Sequence, residues 1–399
     1  FASNDPREIL NELMLALARD ITPDRSLLFL DEIQAAESLL GKLRWFAEEL
    51  PELPVVAAGS LLDLSLGEHE YSVPVGRVSY LYIEPMGFQE FLTAHGQTRV
   101  LEVLSEWSPD IALSPASHEQ ATAWFHRYTM VGGMPAVVAA DVAGATPEDV
   151  RRRQRELIAA YRDDFAKYAR RLDRVVLDGM LLGVAASLGR KFVYAHAVTD
   201  IKQQQARRAL ELLAAARVCH LVRHTAANGL PLGGQVKDTF RKVILLDVGL
   251  LHALVGTPAG PTFPQPEQVA PGVRGQVAEQ VAGQTLRLLS AASGSSPGLY
   301  YWQRDGGRPG EIDYLVELDA RVVPVELKSG ASGAMKSLHQ FMHDKGLDLA
   351  VRLDANPPSV QRAAVRTTQG DDVRYTLVNL PHYLAFRTLE AVVSVRDAS

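Results

Sequence analysis

The chain has 399 residues, 47% hydrophobic and 22% charged, with a formal net charge of −6. A lone cysteine, Cys219, excludes an internal disulfide framework and a cysteine zinc site, and no apolar run approaches the roughly 18 residues of a membrane span. Together with the lack of a visible signal peptide, this predicts a cytoplasmic α/β protein of two or three domains, each with its own core. The acidity is uneven. Residues 151–242 hold 19 Lys and Arg against 8 Asp and Glu, a net of +11, so the rest of the chain carries −17. A basic middle in an acidic chain fits a polyanion-facing module or a set of solvated helix faces with i,i+4 pairs.

In chain order, residues 6–19 predict an amphipathic helix with Asp5 as cap and Pro6 in its first turn. SLLFLDEIQ (26–34) and LPVVAAGS (53–60) are apolar strand runs flanking a helix near 35–50, and RVSYLYIEP (77–85) is a third strand candidate. Buried strands alternating with helices predict a parallel α/β sheet. Residues 87–170 read mainly as helices, interrupted by a turn at VGGMPAVV. Three helical stretches follow, the last being IKQQQARRALELLAAARV (201–218). Then come a strand, CHLVRHT, a Gly/Pro turn, and RKVILLDVGLLHALVG as a further strand or helix. This is the order of a winged helix-turn-helix. TPAGPTFPQPEQVAPG (257–272) reads as a linker. Beyond it lie a helix (274–290), strands near 299–303, 311–318 and 321–328, a helix near 332–345 and a strand near 347–353.

The run LLFLDEIQ delivers two acids at the carboxyl end of a strand. Phosphate transfer needs that arrangement: Asp31 to hold magnesium and Glu32 to orient the attacking water. Ser60 ends the next strand, where a polar group can meet the same water or phosphate, and Arg77 is a candidate for offsetting transition-state charge or for clamping a loop. With LLFLDEIQ, AGSLL and PVGRV in this order, the sequence resembles AAA-type P-loop ATPases. The resemblance continues through YTMVGGMP (128–135), DDFAKYA (163–169), KFVYAHAV (191–198) and LLDVGLL (245–251). It implies Asp31 and Glu32 as Walker B, Ser60 as a sensor-like residue, and ATP with Mg²⁺ as cofactors. No GxxxxGK(S/T) loop occurs, and the first residue is Phe1. The expectation is that the Walker A part precedes this sequence and that the full-length parent hydrolyses ATP.

In a winged helix the third helix enters the major groove. Lys202, Gln203, Gln204, Arg207 and Arg208 crowd one half of that helix, with Arg223 and Lys237 flanking the wing. Arg and Gln read base edges and Lys neutralises phosphate, so DNA is the expected partner. The alternative is packing against the ATPase region. Nothing in the sequence argues for a membrane, and it leaves room for a homo-oligomer or a protein partner.

GEIDYLVELDARVVPVELKSG (310–330) places Asp313 on one apolar strand and Glu326 and Lys328 on the next. Two carboxylates buried together repel unless a cation compensates. Asp313 and Glu326 are therefore candidate metal ligands, Glu279 on the preceding helix an outer one, and Lys328 a charge-stabilising group. Gln340 on the following helix is within reach of metal-bound water or substrate. Asp, then Glu-x-Lys, after a helical Glu resembles the PD-(D/E)xK nuclease fold, without the usual proline before the Asp, and implies metal-dependent DNA endonuclease activity. The alternative is an NTP-dependent regulatory or binding protein whose nuclease fold is inactive. The expected organisation is a partial P-loop parallel sheet (1–96), a helical region (97–171), a winged helix (172–256), a linker (257–273) and a C-terminal restriction-endonuclease-like α/β domain (274–399).

Overall fold

Helix α1 (Pro6–Leu17) starts where the sequence places a cap: the Asp5 carboxylate accepts from Arg7 N at 2.8 Å, and Pro6 occupies the first turn. Its Ile9 and Leu10 are buried with Phe46 of helix α2 (Glu37–Glu49), Leu50 and Leu53. Against this core lie strands β1 (Leu28–Leu30) and β2 (Val55–Ala57), paired in parallel with Leu28 opposite Val55 and Leu30 opposite Ala57. The computed structural model describes residues 3–59, 76–168, 173–199, 201–291, 298–304, 310–318, 320–330 and 333–397. The chain forms two compact units, residues 1–82 with 211–217, and residues 83–210 with 218–399.

The third strand expected at 77–85 is not formed: residues 78–87 belong to no helix or ladder, and Leu81 and Ile83 are 87% and 88% exposed. A β-prone sequence becomes a strand only where a neighbouring strand pairs with it and buries one face. Among the described residues the parallel sheet contains only β1 and β2.

The second unit opens with five helices: α3 (Phe88–Ala94), α4 (Thr98–Glu106), α5 (Pro115–Val131), α6 (Pro135–Val142) and α7 (Pro147–Tyr168). Then come α8 (Arg174–Ser187), the single turn α9 (Tyr194–Ala197) and α10 (Gln203–Ala215), so the helix expected at 201–218 is present but shorter. The last residues of α10 count with the first unit. Strands β3 (Cys219–Thr225) and β4 (Val236–Leu245) form an antiparallel hairpin. Helices α11 (Val248–Leu254) and α12 (Pro271–Ala291) lead to β5 (Leu299–Gln303), β6 (Glu311–Leu318), β7 (Arg321–Leu327), α13 (Lys336–Lys345), β8 (Leu349–Asp354), β9 (Ser359–Arg366), β10 (Asp372–Pro381) and α14 (Thr388–Asp397).

The hairpin read as a wing is not a free wing. It forms one edge of an eight-stranded sheet of order β4-β3-β5-β6-β7-β8-β10-β9, in which β3 pairs in parallel with β5 through Val222 and Leu299. The physical reason is burial. Cys219, Val222 and His224 are fully or almost fully buried, and an apolar hairpin gains more by extending a sheet than by lying on the surface. The sheet thus spans the linker-like stretch at 257–272.

One buried carboxylate fixes the turn between α5 and α6. Asp247 is 0% exposed and caps α11 by accepting from Gly249 N at 2.9 Å and Leu250 N at 3.2 Å. Its other oxygen accepts from Gly133 N at 2.7 Å. Gly132 has φ +80°, and a Cβ there would fall 2.1 Å from Asp247 Oδ1. This explains why the Gly-Gly pair and the LLDVGLL segment go together. Asp247→Ala leaves three buried N–H groups without their acceptor and should cost about 3 kcal/mol or more in urea unfolding. Asp247→Asn should recover only part of it, because an amide NH₂ would face a donor on one side.

Candidate carboxylate–lysine site

Strand β6 carries one residue more than its neighbour across the ladder. Trp302 pairs with Ile312 but Tyr300 with Leu315, three steps against two. The bulge falls at Asp313 and Tyr314, and bulges re-aim side chains. Ile312 and Leu315 both enter the sheet's apolar core. Tyr314 donates to Glu279 O on α12 at 2.8 Å. Asp313 Oδ2 accepts from Leu327 N at 2.8 Å, supplying the acceptor that β6 no longer offers past the Tyr314–Val325 pair.

The expected residues meet in part. Glu326 is 5% exposed, and its Oε1 accepts from Lys328 Nζ at 2.6 Å. Glu326 Oε2 is buried without a hydrogen-bond partner among the described residues, as is Gln340 Oε1. Lys328 lies over Gly333, where a Cβ would sit 2.4 Å from Lys328 Cδ, so only glycine leaves that path open. Glu279, expected as an outer metal ligand, is instead held by Lys242 Nζ at 2.8 Å. The Lys242 ammonium also pairs with Glu311 and lies 3.7 Å from Asp313. The cation among these three carboxylates is therefore a lysine. Among the described residues, no group of three or more His, Cys, Asp or Glu side chains is arranged as a metal cage.

The electrostatics follow from burial. Burial pushes Glu326 up to about 7, Asp313 adds to the rise, and Lys328 opposes it. Burial also pushes Glu279 up to about 7 against the pull of Lys242. Burial alone would lower Lys242, but Glu279, Asp313 and Glu311 outweigh it and hold the ammonium well above its ordinary range. Lys242 and Glu311 were not anticipated as site residues. The signal was there: on β4, Lys242 shares the strand parity of Phe240 and Ile244, which marks a side chain directed to a buried face.

In the first unit, Asp31 and Glu32 lie at the carboxyl end of β1, where Ala58 N donates to Leu30 O and Ile33 N to Ala58 O. Both acids are exposed, Glu32 has φ +50°, and Gln34 Nε2 donates to Glu32 Oε2. Arg77 pairs with Glu48 of α2 at 2.8 Å. Ser60 lies outside the described residues. Lys202, just before α10, and Gln203, Gln204, Arg207 and Arg208 on it are all exposed; Gln203, Gln204 and Arg207 line a cavity with Lys191, Tyr194 and Arg241, while Lys202 and Arg208 do not.

Residues 1–92 match the AAA domain family, residues 122–260 a domain of unknown function (DUF8612), and residues 274–382 a second domain of unknown function (DUF4143). The N-terminal match to the AAA domain covers the segment that contains Asp31 and Glu32. Among solved structures, the chain is similar to the Walker-type ATPase PABY2304 of Pyrococcus abyssi. The identity is 14%, over 64% of this chain and 68% of that one. The TM-score is 0.39, too low to carry an argument. No curated protein matches the chain. No helix among the described residues is long and apolar enough to cross a membrane.

The carboxylate shifts set a pH dependence. Glu326 is raised in the fold from an ordinary 4.5 to about 7. Between these values the folded state binds more protons than the unfolded chain, so stability falls as pH rises through the window. In thermal melts with EDTA, wild type should lose about 1–3 kcal/mol relative to Glu326→Gln between pH 5 and 8.

Proposed function

We propose that the protein is an ATP-hydrolysing AAA-type ATPase that acts on nucleic acid. In this reading the C-terminal region binds a divalent cation at Asp313 and Glu326. One observation carries the site assignment: Glu326 Oε2 is buried and unpartnered on the strand next to Asp313. The donor set fits magnesium, which takes one or two carboxylates and fills its shell with water and phosphate oxygens. The charge fits as well. Glu279, Glu311, Asp313 and Glu326 against Lys242 and Lys328 leave two negative charges, which one divalent cation offsets. Glu279 is not a ligand in this reading, because Lys242 holds it. A bound divalent cation would supply Lewis-acid polarisation of a phosphate oxygen. Asp313 and Glu326 bind and orient, and the Lys328 ammonium offsets negative charge developing on the phosphate.

In the ATPase region, Asp31 would hold the magnesium of the nucleotide and Glu32 would orient the attacking water, with Ser60, outside the described residues, as a sensor-like group. The pairing of Arg77 with Glu48 favours a clamping role over a transition-state one. Glu32→Gln should abolish ATP turnover in the full-length parent while sparing nucleotide binding, measured by phosphate release and by labelled-nucleotide titration.

A second reading rests on Lys242. Its ammonium already pairs with Glu279 and Glu311 and lies near Asp313, which suits a domain that binds nucleic acid or a protein without cleaving. Calorimetry with Mn²⁺ separates the two. Under the first reading wild type binds the metal and Asp313→Ala does not. Lys328→Ala keeps the metal but loses plasmid nicking, and Gly333→Ala copies Lys328→Ala because the new methyl displaces the lysine stem. Absence of binding at millimolar Mn²⁺ supports the second.

A further inference from the structure

The cavity beside α10 has a volume of 770 Å³ and is lined by Lys191, Phe192, Tyr194, Gln203, Gln204, Arg207 and Arg241 among others. Among the described residues, no acidic side chain lines it. It runs beside β4, the edge strand of the sheet, where Phe192 N donates to Arg241 O at 2.8 Å and closes the edge. Two aromatic residues, Phe192 and Tyr194, lie among the cations of the lining. Lys191 Nζ lies 3.7 Å from the centre of the Phe240 ring, and the Arg241 guanidinium 5.8 Å from that of Tyr194.

We infer that this groove is a binding site for a single nucleic-acid strand, with phosphates on Lys191, Arg207 and Arg241 and a base against Tyr194. The inference deepens, and rests on, the nucleic-acid reading given above. Three observations carry it. The described lining carries three cations, Lys191, Arg207 and Arg241, which suits a phosphate backbone. Aromatic rings lie among the cations, as in sites where bases stack in a charged channel. The volume lies within the range of about 300–1,000 Å³ typical of ligand pockets, room enough for a nucleotide of a single strand. Gln203, Gln204 and Arg207 therefore face a concavity, whereas a helix reading a major groove must project from the surface.

The groove also adjoins the carboxylate cluster. Two residues before Lys191, a Cβ on Gly189 would fall 3.0 Å from Glu279 Oε2. Phe240, which carries Lys191, shares the parity of Lys242 on β4.

Fluorescence anisotropy on the full chain, with a labelled oligothymidine strand and a duplex of equal length, tests the inference. Wild type should prefer the single strand. Lys191→Gln with Arg207→Gln, both on exposed positions, should reduce the log–log salt slope by about 1.4, or about 0.7 per cation. Tyr194→Ala should weaken binding roughly ten-fold, and Tyr194→Phe, which keeps the ring and the local packing, should not. Preference for the duplex overturns the strand assignment. Binding by wild type that these variants leave unchanged places the nucleic acid elsewhere and overturns the groove alone. Binding of neither probe by wild type overturns the nucleic-acid reading and the groove with it.

Discussion

The ammonium of Lys242 is the constraint around which the C-terminal half is arranged. A lysine 1% exposed is tolerable only with carboxylates in contact, because an unpaired buried charge costs several kcal/mol. The partners come from different elements, Glu279 from α12 and Glu311 and Asp313 from β6. The lysine itself stands on β4. The charge therefore fixes the hairpin, the helix and the bulged strand relative to one another. The bulge at Asp313 belongs to the same arrangement. It lets Ile312 and Leu315 enter the core while Tyr314 reaches Glu279 O and Asp313 reaches both Lys242 and Leu327 N.

Asp247 plays a similar part for the helical segment, with backbone N–H groups in place of a lysine. It joins the cap of α11 to the Gly132–Gly133 turn, and Gln284 and Gln280 on α12 extend the network to Val248 N and Leu245 N. Gln154 closes the other side, donating to Met130 O and Val131 O. Both hubs converge on α12, which carries Glu279, Gln280 and Gln284 within two turns and explains the burial of so many polar groups on one helix.

Much of this was legible in the sequence where a single local signal sufficed. Asp5 with Pro6 fixed the start of α1, LLFLDEIQ gave a strand ending in Asp31 and Glu32, and the order of α12, β5, β6, β7, α13 and β8 followed from periodicity. What failed depended on partners distant in sequence. RVSYLYIEP has the composition of a strand, but no neighbour among the described residues pairs with it. The β3–β4 hairpin looks like a wing until its pairing with β5 is known. Lys242 was counted within a basic surface run, although its parity with Phe240 and Ile244 pointed inward. Glu279 was expected as an outer metal ligand, whereas it is held by a lysine on a strand 37 positions earlier in the chain, a partner that no local signal reveals. The bulge at Asp313 has no local signature at all.

The sheet that spans residues 257–272 has a consequence for how the chain can be divided. The Pro- and Gly-rich stretch looks like a natural place to separate two modules, and a family boundary falls close to it. Cutting there would leave β5 without β3 along one edge and Glu279 without its counter-charge. A fragment starting at residue 274 is thus an incomplete folding unit. A protease nick in this stretch would yield two pieces that remain joined as a noncovalent complex, held by a β-ladder and a buried ion pair. The modularity visible in the chain's punctuation is one of connection and not of folding.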